Sequence, residues 1–343
     1  MHLIDYYFEL PNDLIAQEPL ADRAASRMLV IDRARREFRD ERFATLPRML
    51  KKSDLLVLNN TRVFPARLLG RTESGSNVEI FLVEKSRPGT WLALGKPGRR
   101  LKPGKRIEFD GRFYAEIIEK TDGGKVIVRF GPEDLSDSAV DDIGRTPIPP
   151  YIARDPVRPD IDRERYQTVF ASRRGAIAAP TAGLHFTNSI FEKLSERSID
   201  VAEITLHVGY GTFEPVRTAE LIAHRVAPER FEIGELAAEK LEKARREGRR
   251  IVAVGTTTTR TLEYVLTAHG SFQAISGRAD LTIIPGYGFK AIGALLTNFH
   301  LPESSLLILV ATFGGHQLIM DAYRHAVVSQ YRFYSYGDCM FIE

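Results

Sequence analysis

The chain has 343 residues, of which 43% are hydrophobic and 27% are charged, a balance typical of a globular protein with a sizeable core. No uninterrupted apolar run reaches the ~18 residues that a membrane-spanning helix needs, and the N-terminus lacks the apolar centre of a signal peptide. The single cysteine, Cys339, excludes an internal disulfide and a multi-cysteine zinc site. We therefore expect a cytoplasmic protein without membrane association.

Short β-type segments follow an apolar strand at 55–58. They occur at hairpin spacing, are separated by turns rich in Gly and Pro, and cover residues 78–84, 91–94, 106–109, 113–119 and 126–130. Because no helix separates them, these strands predict a small barrel or sandwich. The segment Pro147-Ile148-Pro149-Pro150 then closes the region as a stiff linker.

From residue 187 onward, helix-like and strand-like segments alternate. The predicted helices are 188–197, 235–246, 259–268, 304–310 and 317–329, and the predicted strands are 201–208, 251–254, 281–284 and 339–342. This alternation predicts a parallel or mixed α/β sheet, to which the strand at 55–58 is apolar enough to belong. We therefore predict one discontinuous α/β domain, residues 1–61 and 148–343, with residues 62–147 as an insertion. Ligands of such sheets bind at the carboxyl ends of the strands.

The stretch GAIAAPTAGLHF, residues 175–186, stands out for its mixture of small and functional residues. Its small residues allow close approach of another chain or a flat ligand. Pro180 and Gly183 shape a turn that delivers His185 and Phe186 just before a helix. A tight strand-to-helix connection whose histidine caps the next helix explains the stretch equally well.

Two further turns follow strand-like segments. In TLHVGYGTFEP, residues 205–215, His207 precedes a G-x-G pattern, but Glu214 replaces the third glycine of the dinucleotide-binding fingerprint. In VGTTTTRTLE, residues 254–263, four threonines open a helix whose free N–H groups favour an anion, and Arg260 adds a guanidinium. Capping a helix needs only one hydroxyl, so this run favours ligand binding.

The remaining segments of interest carry histidines or aromatic side chains. LTNFHLPESS, residues 296–305, presents His300 either at a ligand site or in a turn before a capped helix. HRVAPE, residues 224–229, offers His224, Arg225 and Glu229 as candidate functional residues, and a surface loop is the alternative. No pair of histidines has metal-ligand spacing, so we expect no metal. The aromatic run at 331–339 is more typical of a core than of a base-stacking surface.

Taken together, the motifs are far more specific than any one of them. In chain order they are LIAQEPL (14–20), NTRVFPARL (60–68), YQTVFA (166–171), APTAGLHF (179–186), TLHVGYGTF (205–213), VGTTTTRTLE (254–263), LTNFHLPESSLL (296–307) and YRFYSYGD (331–338). From about residue 3 to the C-terminus, the chain closely resembles the S-adenosylmethionine:tRNA ribosyltransferase-isomerase family of queuosine biosynthesis. The resemblance implies a mixed α/β main domain with an inserted small antiparallel β-barrel domain.

The resemblance also implies a reaction in which S-adenosylmethionine donates its ribosyl unit. Family members attach and isomerise that unit on 7-aminomethyl-7-deazaguanine at the tRNA wobble position, which gives epoxyqueuosine-tRNA and releases adenine and methionine. The implied partners are S-adenosylmethionine and tRNA carrying the aminomethyl base. No metal or redox cofactor is implied, and we expect a monomer.

The implied chemistry assigns candidate roles to the motifs. The sulfonium acidifies the neighbouring 5′ carbon, so a base is needed, and a neutral histidine suits this role. The threonine turn with Arg260 is a candidate for holding the methionine carboxylate, and aromatic side chains are candidates for contact with the sulfonium or adenine. The candidate acid or base residues are His185, His207 and His300. The candidate substrate-binding residues are Pro180, Thr181, Gly183, Phe186, Gly209, Tyr210, Gly211, Phe213, Glu229, Thr256, Thr257, Thr258, Arg260 and Asn298.

The most basic segment is KPGRRLKPGKR, residues 96–106, which has six basic residues and no acidic one. Such a run can contact phosphates, although a solvated hairpin explains it at least as well. Given the resemblance, the candidate tRNA-binding residues are Lys96, Arg99, Arg100, Lys102 and Lys105.

The chain departs from the family pattern at two places. Where the family has Met-His-Ser-Glu, this chain has Val226-Ala227-Pro228-Glu229. The family's Asn-Asp-Thr before the insertion is Asn59-Asn60-Thr61 here, so a carboxylate is missing. Either change can remove a substrate contact, while the other motifs are intact.

Two other functions remain as alternatives. A methyltransferase that uses S-adenosylmethionine would have a glycine-rich loop after an early strand, which this chain lacks, and would release S-adenosylhomocysteine. A non-catalytic RNA-binding protein would bind tRNA in a salt-dependent way without releasing adenine.

Overall fold

The computed structural model describes residues 1–110, 113–121, 124–131, 137–154, 161–209, 211, 216 and 218–343. Its strands are β1 (Arg27–Asp32), β2 (Glu37–Arg42), β3 (Leu55–Asn59), β4 (Thr61–Val63), β5 (Arg67–Thr72), β6 (Asn77–Arg87), β7 (Thr90–Lys96), β8 (Arg106–Phe109), β9 (Phe113–Lys120), β10 (Val126–Gly131), β11 (Arg173–Ala176), β12 (Asp200–His207), β13 (Glu229–Ile233), β14 (Ile251–Val254), β15 (Ile275–Ala279), β16 (Ala294–Asn298) and β17 (Cys339–Ile342). Its α-helices are α1 (Leu46–Met49), α2 (Asp137–Ile143), α3 (Asp162–Arg165), α4 (Asn188–Glu196), α5 (Glu235–Arg246), α6 (Thr256–His269), α7 (Ser305–Gly314) and α8 (His316–Val328).

Two compact units divide the chain. One comprises Met1–Arg62, Pro149–Asp155 and Gln167–Glu343, and the other comprises Val63–Ile148 and Pro156–Tyr166. The second unit contains a closed barrel with the strand order β10-β7-β6-β5-β8-β9, in which neighbouring strands run antiparallel. Alternate side chains such as Leu68, Ile80 and Ile107 are fully buried and fill it. The inserted antiparallel barrel is thus confirmed, and the sandwich alternative is wrong.

A nine-stranded mixed sheet with the order β15-β13-β12-β3-β14-β16-β17-β1-β2 forms the basis of the first unit. The central strands β12, β3, β14 and β16 run parallel, so their carboxyl ends lie together. We call this end of the sheet the carboxyl edge, and it is marked by Asn59, His207, Gly255 and Asn298. Because β17 runs antiparallel to β16, and β1 runs parallel to β17, the residues that precede β17 and β1 reach the same edge. The predicted mixed α/β fold is confirmed.

The central strands are buried on both faces, which explains their continuous apolar sequences. On one face, side chains such as Leu55 and Ile251 share a core with helices α5, α6, α7 and α8. On the other face, side chains such as Leu56 and Val252 pack with α4. Helices on both faces hold the central strands, and therefore the residues at their carboxyl ends, in place.

The structure corrects two predictions of secondary structure. Helix α6 begins at Thr256 rather than at residue 259, because Gly255, at φ +92°, makes the turn from β14 directly into the helix. The predicted strand at 281–284 is absent among the described strands, and β15 lies earlier, at Ile275–Ala279. The carbonyl of Leu281 accepts a hydrogen bond from the Arg260 side chain, and the Thr282 hydroxyl accepts one from the Val226 backbone amide. These two bonds hold the segment in place without strand pairing.

Helices α7 and α8 meet at Gly315 with a bend of 117° between their axes. Across the described part of the chain, no single helix has the length and apolarity needed to cross a membrane, and these two meet that test only as a bent pair.

Candidate active site

His207 ends β12 and is half-buried at the carboxyl edge. Its Nδ1 lies 2.8 Å from the Thr61 hydroxyl oxygen, and that hydroxyl lies 3.5 Å from the carbonyl oxygen of Arg173. When Thr61 donates to that carbonyl, it accepts from Nδ1–H, and the free lone pair of the imidazole is on Nε2. Burial, and then the charge of Arg230, lowers the pKa of His207. The side chain is therefore neutral at neutral pH, as a base must be.

Gly175 leaves the space that the His207 ring occupies. A Cβ atom at residue 175 would lie 2.6 Å from Cε1 of the imidazole, which is closer than real carbon atoms approach. The glycine of the GAIAAPTAGLHF stretch thus serves close packing against the histidine of the next motif. This contact joins the GAIAAPTAGLHF motif to the TLHVGYGTFEP motif.

Asn59 connects the end of β3 to the residue that precedes His207. Its Nδ2 donates to the Leu206 carbonyl at 3.0 Å, and its Oδ1 accepts from the Leu206 amide at 3.0 Å. The side-chain amide therefore pairs with one residue in both directions, as a further strand residue would. The same Nδ2 lies 3.4 Å from the Thr257 hydroxyl, so Asn59 also links β12 to the start of α6.

The other two candidate histidines are buried. The Nε2 of His300 lies 2.8 Å from the Thr297 hydroxyl, and burial lowers the pKa of His300 to about 3. The Nδ1 of His185 lies 2.9 Å from the Ser26 hydroxyl, and burial lowers the pKa of His185 to about 4. Neither ring is exposed enough to meet a substrate directly, so the geometry favours His207 among the three. Among the described residues, no three His, Cys, Asp or Glu side chains are grouped as a metal site would require.

Asn298 ends β16 beside a buried hydroxyl. Its Nδ2 donates to the Tyr334 carbonyl at 2.9 Å, and its side chain faces the His185 imidazole, where a hydrogen bond to the ring opposes the lowering of its pKa by burial. The Tyr334 hydroxyl is buried and makes no hydrogen bond with described residues. Leaving buried polar atoms unpaired destabilises a fold, and such atoms mark places where a ligand or water pairs with them. Tyr334 has φ +74°, a left-handed conformation that is strained for a bulky residue. Strain and the unpaired hydroxyl together make this part of the carboxyl edge a candidate ligand contact.

The threonines at the start of α6 divide into two groups. The hydroxyls of Thr258, Thr259 and Thr261 donate to carbonyl oxygens four residues earlier, at 2.7, 3.2 and 3.0 Å. Thr258 is fully buried, and its contact with the substrate stays a prediction. Thr256 and Thr257 line a small cavity, which is also lined by Gly211, His224, Arg260 and Ser305. Their position at the helix N-terminus favours a negatively charged ligand group.

Arg260 and Glu229 form a buried ion pair, with Nη1 and Oε2 2.5 Å apart and each side chain 5% exposed. The guanidinium also donates to three backbone carbonyls, those of Ala227, Ala279 and Leu281. Glu229 accepts from the Gly209 amide at 2.9 Å. Four of the five N–H groups of Arg260 thus bond protein acceptors. These bonds position the segments around Arg260, and its grip on a ligand carboxylate stays a prediction.

Phe186 packs in an aromatic part of the core. It is fully buried, and its ring centroid lies 5.0 Å from Phe43, 5.5 Å from Phe191 and 6.1 Å from Phe170. Its contact with the substrate stays a prediction. Gly183 serves the same packing, since a Cβ there would lie 2.8 Å from the Phe170 ring.

The predicted roles of several other residues stay predictions, and their positions are as follows. Pro180 is buried and Thr181 is half-buried at the start of the 3-10 helix Thr181–His185. Tyr210 and Phe213 lie outside the described residues. In the barrel unit, Lys96, Arg99, Lys102 and Lys105 are exposed, and half-buried Arg100 donates to the Asn77 carbonyl. Their contact with tRNA stays a prediction.

Asn60, one of the two departures from the family pattern, lies between two polar side chains of β12. Its Nδ2 donates to Glu203 at 3.1 Å, and its Oδ1 accepts from the Thr205 hydroxyl at 2.7 Å. An aspartate here would face the Glu203 carboxylate as a like charge. Asparagine therefore fits this position better than the acid.

We expect acid to destabilise the fold through the buried histidines. Both have folded-state pKa values far below 6.5, so below pH 6.5 the unfolded chain takes up protons that the folded chain does not. Stability is therefore full above pH 6.5 and falls as the pH drops towards about 4, by roughly 2 kcal/mol per histidine between pH 7 and 5. Urea unfolding of His185→Asn should show a smaller fall between these pH values. The exposed His269→Asn is the control, and an unchanged fall in His185→Asn would contradict the assignment.

The comparisons with known proteins agree with the motif pattern. A family model described as "Queuosine biosynthesis protein" matches residues 3–342. The chain belongs to this family, and its resemblance to the family is confirmed.

Relatives are similar over nearly the whole chain. The S-adenosylmethionine:tRNA ribosyltransferase-isomerase of Caldanaerobacter subterraneus subsp. tengcongensis is 46% identical over 98% of this chain and 98% of its own. That of Syntrophotalea carbinolica is 44% identical over the full length of both chains. The crystal structure of the S-adenosylmethionine tRNA ribosyltransferase of Thermotoga maritima is 36% identical, with a TM-score of 0.57 over 99% of this chain and 100% of the other.

Proposed function

We propose that the protein transfers and isomerises the ribosyl unit of S-adenosylmethionine onto 7-aminomethyl-7-deazaguanine at the tRNA wobble position. The product is epoxyqueuosine-tRNA, and adenine and methionine are released. The observation that carries this proposal is the family match over residues 3–342, together with relatives of that activity at 41–46% identity. We also propose that S-adenosylmethionine is a substrate and that no separate cofactor takes part, in a cytoplasmic monomer.

His207 is the proposed base in this reaction. The 5′ carbon of S-adenosylmethionine is bonded to the sulfonium, which makes its protons acidic. Nε2 takes one of these protons, and Thr61 holds Nδ1 in the matching tautomer at 2.8 Å. The lowered pKa of His207 keeps the imidazole neutral before the transfer.

The methionine carboxylate and the adenine of S-adenosylmethionine also have candidate contacts at the carboxyl edge. The N-terminus of α6, with Thr256 and Thr257, suits the methionine carboxylate, since backbone N–H groups and the helix dipole favour an anion. Tyr334, with its strained backbone and its unpaired hydroxyl, suits the polar ring edge of the adenine. Adenine needs hydrogen bonds as it leaves, because negative charge then develops on its ring.

Incubation with S-adenosylmethionine and tRNA that carries the aminomethyl base tests the proposal. Nucleoside mass analysis should detect epoxyqueuosine, and adenine and methionine should appear in equal amounts. The same tRNA with guanine at the wobble position is the control and should give neither. Release of S-adenosylhomocysteine would indicate methyl transfer instead, and tRNA binding without adenine release would indicate a binding protein.

A further inference from the structure

Three nitrogen-bearing side chains stand in register across three adjacent strands of the nine-stranded sheet. His207 on β12 pairs with Arg230 on β13, and Arg230 pairs with Arg278 on β15. Side chains of directly paired residues point to the same face of a sheet, so the three form one line across the strands. We call this line the basic row.

The basic row sets two guanidiniums side by side, because Arg230 and Arg278 lie directly opposite each other in an antiparallel pair. On the same face, Glu232 belongs to the neighbouring row, where it pairs with Thr205 and Ser276. An oxyanion between the two guanidiniums can contact both of them.

An open groove lies over this face, and the basic row and the Thr205–Glu232–Ser276 row both line it. Arg230 and Arg278 are exposed within it, and Arg278 also donates to the Pro228 carbonyl at 3.5 Å. A groove that is open and polar, with two guanidiniums, fits the backbone of a polynucleotide better than a buried small molecule. The shared chemistry is recognition of an oxyanion by arginine.

We propose that the basic row binds phosphate groups of the tRNA backbone and leads the strand to the carboxyl edge. The inference rests on the proposed function, because that function makes tRNA the substrate. Neighbouring strands lie about 4.8 Å apart, so the row reaches about 10 Å outward from His207. The proposed base is thus the first member of the row, and a phosphate held by Arg230 places the neighbouring nucleotide beside it.

Binding of tRNA by Arg230→Gln tests this proposal. We expect affinity for tRNA carrying the aminomethyl base to fall several-fold at low salt. The slope of log affinity against log salt, measured between about 50 and 200 mM, should fall by about 1. Arg278→Gln should act in the same direction. The control is Arg39→Gln on β2, an exposed arginine on the opposite edge strand of the sheet, which should change neither quantity.

Two further readouts separate the basic row from other roles. The KM for S-adenosylmethionine should stay unchanged, and the thermal unfolding midpoint of Arg230→Gln should match that of the unaltered protein, since the Arg230 side chain is exposed. An unchanged salt slope overturns the proposal. A raised KM for S-adenosylmethionine with normal tRNA affinity also overturns it, because the anion is then the methionine carboxylate.

A lowered midpoint would show that Arg230 is structural, which likewise overturns the proposal. Binding of tRNA is measured without turnover. The proposed enzymatic function and the proposed role of the basic row can therefore be refuted independently of each other. An unaltered protein that binds tRNA with the expected salt slope but releases no adenine refutes the proposed function and supports the basic row.

Discussion

Replacing His207 with alanine is expected to lower turnover by roughly 10²–10⁴-fold, the range that a positioned general base contributes. The ring is half-buried and packs on Gly175, so the unfolding midpoint should change little. Single-turnover release of adenine, with S-adenosylmethionine and tRNA both saturating, measures the effect on chemistry. The exposed His269→Ala is the matched histidine control. Near-normal turnover of His207→Ala would show that His207 is not the base.

Two variants that keep the imidazole separate its chemistry from its position. Gly175→Ala places a methyl group 2.6 Å from the ring and should lower turnover without removing the base. Thr61→Val removes the hydrogen bond to Nδ1 and should lower turnover less than His207→Ala.

Because the pKa of His207 lies below 6.5, activity that depends on the neutral ring should fall on the acid side with a midpoint below pH 6.5. A midpoint well above pH 6.5 would mean that a group other than His207 causes the loss of activity in acid.

Glu229→Ala is expected to destabilise the fold by about 3–5 kcal/mol, because it leaves the Arg260 charge buried without its partner. The pair is 5% exposed on each side, so water cannot replace the lost carboxylate. Urea unfolding at neutral pH measures the free energy. Replacing both residues together, with Glu229→Leu and Arg260→Met, should recover a large part of the loss.

The exposed pair of Arg324 and Asp321 provides the contrast. Its N–O distance is 2.6 Å, similar to that of the buried pair, but its side chains are 59% and 46% exposed. Asp321→Ala should therefore change the free energy of unfolding by less than about 1 kcal/mol. Equal losses at the two pairs would mean that burial does not set the strength of the Arg260–Glu229 interaction.

The position of the site was predictable from the sequence, because parallel strands bring their carboxyl ends to one edge. His207, Thr256 and Thr257 followed from that rule, because each lies at the end of a predicted strand, whereas Asn298 was indicated by the family resemblance. Which side chains face a ligand was not predictable. Phe186 follows His185 directly and is as aromatic as any ligand contact, and only the packing of Phe43 and its neighbours shows that it is core.

Long-range pairing explains the remaining differences. Arg260 and Glu229 were both singled out, but 31 positions separate them, and no local pattern indicates that one neutralises the other. The basic row was missed because its outer strand, β15, has the sequence ISGRA, which resembles a loop. The more apolar residues 281–284 attracted the strand prediction instead. Without β15, the register that sets Arg230 opposite Arg278 cannot be seen.

Asn59 makes the carboxyl edge sensitive to deamidation of one side-chain amide. Deamidation would convert it to aspartate and remove the Nδ2 donor that now bonds the Leu206 carbonyl and reaches Thr257. The new carboxylate oxygen would face the Leu206 carbonyl as a second acceptor, so the end of β12 would be pushed away from β3. The added negative charge, bonded to the residue that precedes His207, would also raise the pKa of the imidazole. A change of one mass unit in a buried side chain would thus both displace the proposed base and favour its protonated form.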